Sequence, residues 1–535
     1  MSKLFVNGKI WQWDESPAAA TERHSFADWM LVADDGKILQ VGSGQVPANA
    51  FEAATQTEDL GGALVLPGLH DSHIHAYYMG ESDEFLNLTG CTSFEDFAER
   101  LRKYDAAYPE KAWVVGFGWE QDQLSSSGRY PSRYDIDAVI KDRPVLLHRA
   151  CWHIVATNTK ALEIAGIDIT QKAHDVGSGT IDTDENGATG ILRESAVNLV
   201  ANHTQESSEE IRAKYLTNAM NKCVRYGLTG IHTNDHNAWQ LYTKIQEQSG
   251  LPLRVYMTPS IGELKEPATP CPGSQVGLLS CDRIKLFSDG SLGAISDADT
   301  AGFRLEIHAI GDRATEQVLM ALKEANVTAD KRAIITHCQI LGEDLLLKMK
   351  DQGVIANIQP SFTITDASFA RKRLAEEVLT YSYCWKTMTK SGIVCAGGSD
   401  SPIETCNPFQ GIYDAIYRHK PGQPQDVFLP DEKLTFDEAL EIYTKNGAYA
   451  AMEETRLGQL APGYLADFVV LQSDVTQDHE ALLTAELVKS VWINGKKTYS
   501  FDQDAQVKDP VFDFSQSSLP GKNGPHIRIC RCCCR

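Results

Sequence analysis

The sequence of 535 residues predicts an α/β fold, a TIM-like (β/α)8 barrel through the middle of the chain with a small β-sandwich domain built from both termini. Three observations lead there. Short apolar runs alternate with helical stretches across the middle, both ends share a hairpin texture, and several histidines and acids fall where apolar runs stop.

The ends come first. From Leu4 to about Gly44, the segments Leu4-Phe5-Val6, Ile10-Trp11, Met30-Leu31-Val32 and Ile38-Leu39 are broken by Asn7-Gly8 and Asp35-Gly36, which read as hairpin turns. The same texture returns in Leu465–Leu471 and in Val488–Ile493 before Asn494-Gly495. A domain made from both ends would cover strand edges that neither end covers alone.

The middle supplies barrel strand candidates at Ala63–Leu66, Val145–Leu147, Gly230–His232, Arg283–Phe287, Leu305–His308, Ala333–His337, Val354–Ala356 and Ile393–Ala396. Ser207–Tyr226 carries Ile211, Tyr215, Leu216, Met220 and Val224 at helical spacing and stops at Gly227, so it reads as a covering helix. The expected division is 1–66 and 453–500 for the sandwich and 67–452 for the barrel, with an insertion at about 79–205. Residues 501–535 lose periodicity, gain Asp, Gln, Ser, Pro and Gly, and are expected to be a disordered tail.

Charge limits the partners. With 50 basic and 72 acidic side chains the formal charge is −22, which repels phosphate backbones and anionic membrane surfaces, so no nucleic acid is expected. No apolar run approaches the ~18 residues of a transmembrane segment, and the opening residues lack a signal-peptide core, so a cytoplasmic location is expected. The cysteines from Cys91 to Cys406 are scattered, as reduced thiols would be, whereas Cys530, Cys532, Cys533 and Cys534 crowd the end of the chain. That terminal cluster fits lipidation, a soft metal or an incidental end.

The chemistry starts at Pro67-Gly68-Leu69-His70-Asp71-Ser72-His73-Ile74-His75. A spacing of two puts the His73 and His75 imidazoles on one face of an extended chain, within reach of one metal ion. Lys285, His308, His337 and Asp400 each follow or end another strand candidate. In a β/α barrel the C-terminal strand ends converge, so such residues meet in space. His153 and His232 are candidates for substrate contact or for structural hydrogen bonding, and Trp119 for substrate contact or for packing.

The strings Lys285–Gly293, His308–Ala314 and Pro360–Thr363, together with Pro67–His75, Thr336-His337 and Gly398–Pro402, resemble the amidohydrolase superfamily, and within it amidohydrolase family 3, which includes N-substituted formamide deformylases. The resemblance runs from about Leu4 to Tyr499. It implies a metal-dependent hydrolase acting on non-peptide carbon–nitrogen bonds of a small amide, formamide or N-acyl substrate. It further implies one or two divalent ions, zinc being expected, held by His73, His75, His308, His337 and Asp400. Asp400 would also act as general base, and Lys285 would be carboxylated to bridge two metals. A free ammonium ligates no cation, so an unmodified Lys285 would instead neutralise a developing anion or simply reach solvent. Zinc lowers the pKa of bound water to ~7, which supplies hydroxide at neutral pH. A homo-oligomer is compatible with this reading.

One segment departs from the family pattern. Between the strings on strands 4 and 5, only residues 291–303 remain, thirteen in all, close to the ~10–12 that a parallel crossover requires. A catalytically impaired form or binding module of the same fold is the competing expectation.

Overall fold

The computed structural model describes residues 2–14, 23–109, 111–124, 128–150, 153–172, 179–204, 208–288 and 292–504. The terminal cysteine cluster, residues 505–535 of the expected tail and position 291 of the short connection lie outside the described residues. The described residues divide into two compact units, one containing those up to Gly80 and those from Ala213 to 504, the other containing those within Glu81–Arg212.

In the first unit, both termini contribute to two sheets. One has the order Ile38–Gly42, Trp29–Val32, Lys3–Val6, Gln56–Asp59. The other runs Lys496–Ser500, Val488–Ile493, Phe468–Leu471, Leu64–Pro67, Lys9–Trp13, His24–Ala27. Phe5, Met30, Val32 and Ile38 from the first sheet and Ile10, Val65, Phe468, Val470 and Trp492 from the second bury one common cluster. Trp492 stacks on Phe468 with ring centroids 5.5 Å apart and meets Phe5 edge-on at 5.0 Å. Asp35-Gly36 and Asn494-Gly495 are hairpin turns, as their dipeptides suggest. Asn7-Gly8 is not: Lys3–Val6 and Lys9–Trp13 pair with different partners, so this turn carries the chain from one sheet to the other. A tight turn with positive φ, here 53° at Asn7, serves both purposes, and the flanking apolar pattern is the same for each.

The rest of the first unit holds two five-stranded sheets. The order Ser274–Val276, Leu279–Cys281, Arg254–Met257, Leu228–Thr233, Leu69–Ile74 forms one. The order Arg283–Phe287, Arg304–Ala309, Ile334–His337, Ile355–Ile358, Cys395–Gly397 forms the other, parallel throughout. Backbone hydrogen bonds bridge them on both sides. Lys285 donates to the Pro259 carbonyl at 2.7 Å, and Asp400 donates to His73 at 2.8 Å. Helices such as Glu209–Arg225, Asp312–Glu324 and Glu343–Asp351 bury one apolar face each and leave the other to solvent.

Two strand expectations need correction. Ala63–Leu66 belongs to the terminal sheet, because Leu64–Pro67 pairs with Lys9–Trp13 and Phe468–Leu471. Val145–Leu147 lies in the second unit, in a six-stranded sheet of order Thr180–Asp184, Gly187–Arg193, Ile154–Thr157, Val145–Arg149, Val114–Trp119, Leu86–Asn87. A short apolar run specifies a buried strand but not its neighbours. The short connection still joins two fully paired strands: Arg283–Phe287 and Arg304–Ala309 match over five residues, and the helix Ile295–Thr300 buries Ile295 and Ala298.

Candidate metal centre

Every residue of Leu69–Ile74 is buried; His73 lies near the end of this strand and His75, also buried, directly follows it. The loop after Cys395–Gly397 is stitched to them. Asp400 N donates to the His73 carbonyl and His75 N donates to the Ser401 carbonyl at 2.9 Å. Asp71 Oδ1 accepts from Ser399 N at 3.0 Å and His73 N at 3.1 Å. Burial pushes the Asp71 carboxyl up to about 6, against the pull of these hydrogen bonds. A Cβ at Gly398 would stand 2.8 Å from His73 N, so only glycine permits this approach. Asp400 itself takes a left-handed backbone, φ 57°, which turns its carboxylate toward the histidines.

The geometry is tight. His73 Nε2 and His75 Nε2 each lie 3.3 Å from Asp400 Oδ1. Among the described residues these three form a group whose ligand atoms all fall within 4.8 Å of one another. The opposite ring nitrogens are engaged: His73 Nδ1 with Glu306 Oε1 at 2.8 Å, and His75 Nδ1 with the Asn234 carbonyl at 3.1 Å. A carboxylate and a carbonyl only accept, so both Nδ1 atoms carry the proton. Burial works against ionisation of Asp400, but its contacts with His73 and His75 outweigh this and hold the carboxyl well below the usual carboxylate range. Each Nε2 can therefore face that anion only as the N–H of an imidazolium or with a cation between them. Two buried imidazoliums with ring centroids 5.1 Å apart would repel, whereas one divalent cation satisfies all three donors. The residues present fit such an ion.

His337 has the same arrangement. Its Nδ1 donates to Gln359 Oε1 at 2.9 Å; Gln359 Nε2 donates to Asn357 Oδ1, and Asn357 Nδ2 to the Ser72 carbonyl, both at 2.7 Å. Burial pushes the His337 imidazole down to about 4, so the ring is neutral. His337 has φ 86° and Cys338 φ 48°, a strained corner of the kind that gathers at functional sites. The His308 ring meets His337 edge-on with centroids 4.5 Å apart, and His337 lies 5.8 Å from His73. These two histidines thus form a pair beside the triad rather than part of it.

Lys285 does not reach solvent. It is 1% exposed, with Nζ 3.0 Å from Glu306 Oε1 and 3.2 Å from Thr336 Oγ1. Arg283 Nη1 approaches Glu306 Oε2 at 3.3 Å, and Arg283 Nη2 donates to His232 Nδ1. Burial disfavours the Glu306 carboxylate, yet Lys285, His73 and Arg283 together hold it well below its ordinary range. His232 is held through its Nδ1 by this network, and burial together with the Arg283 charge keeps it neutral. Trp119 and His153 belong to the second unit. Trp119 is fully buried with Nε1 donating to the Leu147 carbonyl at 2.9 Å, a packing arrangement, and His153 Nδ1 lies 3.1 Å from Glu194.

Glu306, Arg283, Asn234 and Gln359 were not anticipated. Glu306 alone left a signal: it lies two positions before His308 in an apolar strand and so shares that face.

Residues 56–499 match the amidohydrolase family. YtcJ of Bacillus subtilis (strain 168) is 30% identical over 88% of this chain and 95% of its own length. The N-substituted formamide deformylase of Arthrobacter pascens is 24% identical over 89% of this chain and 96% of its own. A metal-dependent hydrolase of Pyrococcus furiosus, uncharacterised, superposes with a TM-score of 0.70 at 26% identity, covering 89% of this chain and 99% of that one. The fold is therefore of the TIM-barrel type found in metal-dependent hydrolases. The chain belongs to the amidohydrolase family.

Proposed function

We propose that the protein hydrolyses a non-peptide carbon–nitrogen bond of a small amide, formamide or N-acyl compound at a closed (β/α)8 barrel flanked by a β-sandwich. The observation that carries this reading is the convergence of His73 Nε2, His75 Nε2 and Asp400 Oδ1 with both Nδ1 protons already committed. A divalent ion, zinc by its preference for imidazole and carboxylate, would be held by these three atoms and would supply Lewis acidity and a lowered pKa for water.

The chain's own residues do the rest. Asp400, an anion in this setting, accepts the proton of the attacking water and returns it to the departing amine, which is otherwise a poor leaving group. His337, neutral and with its Nδ1 proton committed to Gln359, would offer the Nε2 lone pair to a second ion or to a donor group of the substrate, with His308 beside it. The name of the Arthrobacter relative supports the formamide and amide class.

The test is a screen of purified protein with added zinc against formamides, N-acyl amino acids and cyclic amides, before and after chelation. Asp400→Asn should lower turnover about 10²- to 10⁴-fold, the usual share of a general base, and should lose zinc without losing helical circular dichroism. Turnover that survives chelation would overturn the proposal.

A further inference from the structure

Glu306 lies among four donors and is 1% exposed. Its Oε1 faces His73 Nδ1 at 2.8 Å, Lys285 Nζ at 3.0 Å and Thr336 Oγ1 at 3.3 Å, while Oε2 faces Arg283 Nη1 at 3.3 Å. Lys285 and Glu306 sit directly opposite each other in register on adjacent parallel strands, so the pair is set by the backbone and not by a chance rotamer. Two cations and a hydroxyl hold the carboxylate still, and its remaining bond goes to the ring that begins the candidate centre.

We propose that Glu306 is a positioning residue of this centre, fixing the tautomer and direction of His73, and that Lys285 acts through Glu306 as an ammonium rather than as a carboxylated metal ligand. The inference rests on the metal reading above. A carboxylate on the far nitrogen of a ligating imidazole keeps the proton there, leaves the near lone pair for the ion and raises its basicity. Charge-assisted bonds of this kind are short and directional, as the 2.8 Å contact is.

The argument against a carboxylated lysine is one of charge. Carboxylation first takes one proton from the ammonium; the neutral Nζ then forms an N–C bond to carbon dioxide, a C–O electron pair moves onto oxygen and the nitrogen gives up a second proton, so two protons are released and a cation becomes an anion. At Lys285 that anion would replace the present ion pair with a repulsion against Glu306 Oε1, 3.0 Å from Nζ. Arg283 already serves the other oxygen of Glu306 and the His232 ring, so it does not stand by to neutralise a second anion.

The test uses the full chain. Metal-free protein is titrated with zinc against a competing chelator, and Glu306→Gln is compared with wild type after both are shown to melt cooperatively. Zinc binding weakened about 10- to 100-fold in Glu306→Gln supports the proposal, and binding within about threefold of wild type overturns it. Should Glu306→Gln fail to fold, the ¹⁵N spectrum of histidine-labelled wild type decides: a proton on Nδ1 of His73 supports the proposal, and one on Nε2 alone overturns it. Zinc-loaded wild type incubated with ¹³C-bicarbonate gives a further readout. A protein carbamate signal overturns the lysine half, and its absence at full zinc occupancy supports it. Wild type that takes up no zinc overturns the metal reading itself, and this inference with it.

Discussion

Replacing Asp467 with asparagine should cost about 3 kcal/mol of stability. Asp467 Oδ2 lies 2.7 Å from Arg254 Nε and Oδ1 3.1 Å from Arg254 Nη2, with both side chains less than a tenth exposed. Asn494 closes the cluster, its Oδ1 on Arg254 Nη2 at 2.6 Å and its backbone N on Asp467 Oδ1 at 2.9 Å. Burial opposes the Arg254 charge, but Asp467 more than offsets it and raises the guanidinium above its ordinary value. Unit charges about 4 Å apart attract by about 4 kcal/mol at an effective dielectric of ~20, and breaking a buried pair typically costs about 3–5 kcal/mol. Asparagine keeps one oxygen acceptor, which puts the expected loss at the lower end. The cluster matters because the Asp467 carbonyl also accepts from Gly68 N at 2.9 Å, at the corner that leads into Leu69–Ile74 and its histidines. Urea denaturation followed by tryptophan fluorescence measures the loss. The double variant Arg254→Met/Asp467→Leu removes both charges and should be less destabilised than the two single variants summed, by about 2 kcal/mol. A loss below about 0.5 kcal/mol, or strict additivity, would refute the reasoning.

Three further outcomes are expected. Gly411→Ala places a Cβ 2.0 Å from Tyr443 Oη, so despite alanine's better helix propensity it should destabilise by about 1–3 kcal/mol, and Tyr443→Phe should recover part of that in the melting temperature. Burial pushes the Asp366 carboxyl up to about 6, against the pull of Tyr383 Oη at 2.9 Å, so the folded state prefers the proton. That stabilisation is full below the ordinary carboxyl value of 3.8 and is lost as pH rises through about 6. Asp366→Asn should therefore gain on wild type between pH ~4 and ~6 and hold a constant lead above that; urea midpoints showing no such trend would contradict the assignment. Trp492→Ala, which empties the cluster shared by the two terminal sheets, should cost about 3–5 kcal/mol by the same assay.

The parts that could be read from sequence were those that local pattern encodes. His73 and His75 announced themselves by a spacing of two after an apolar run, and His308, His337 and Asp400 by their places at or just after strand ends, whereas Lys285, expected at a strand end, lies at the centre of Arg283–Phe287. Period, turn dipeptides and helix stops depend on neighbours a few residues away, so the chain states them directly. It could not state which strands lie side by side. Leu64–Pro67 reads like a barrel strand and pairs in the terminal sheet, and Asn7-Gly8 reads like a hairpin and joins two sheets.

The same distinction runs through the centre. The sequence determined the ligand types and their order along the chain. Lateral register decided that Lys285 would meet Glu306, and convergence of distant loops decided that the Asn234 carbonyl and Gln359 would fix the tautomers of His75 and His337. Only the tertiary structure separates the His73, His75 and Asp400 group from the His308 and His337 pair. Hydrogen bonds are made across space, between groups whose separation along the chain is set by the fold, and no local pattern of residues carries that distance.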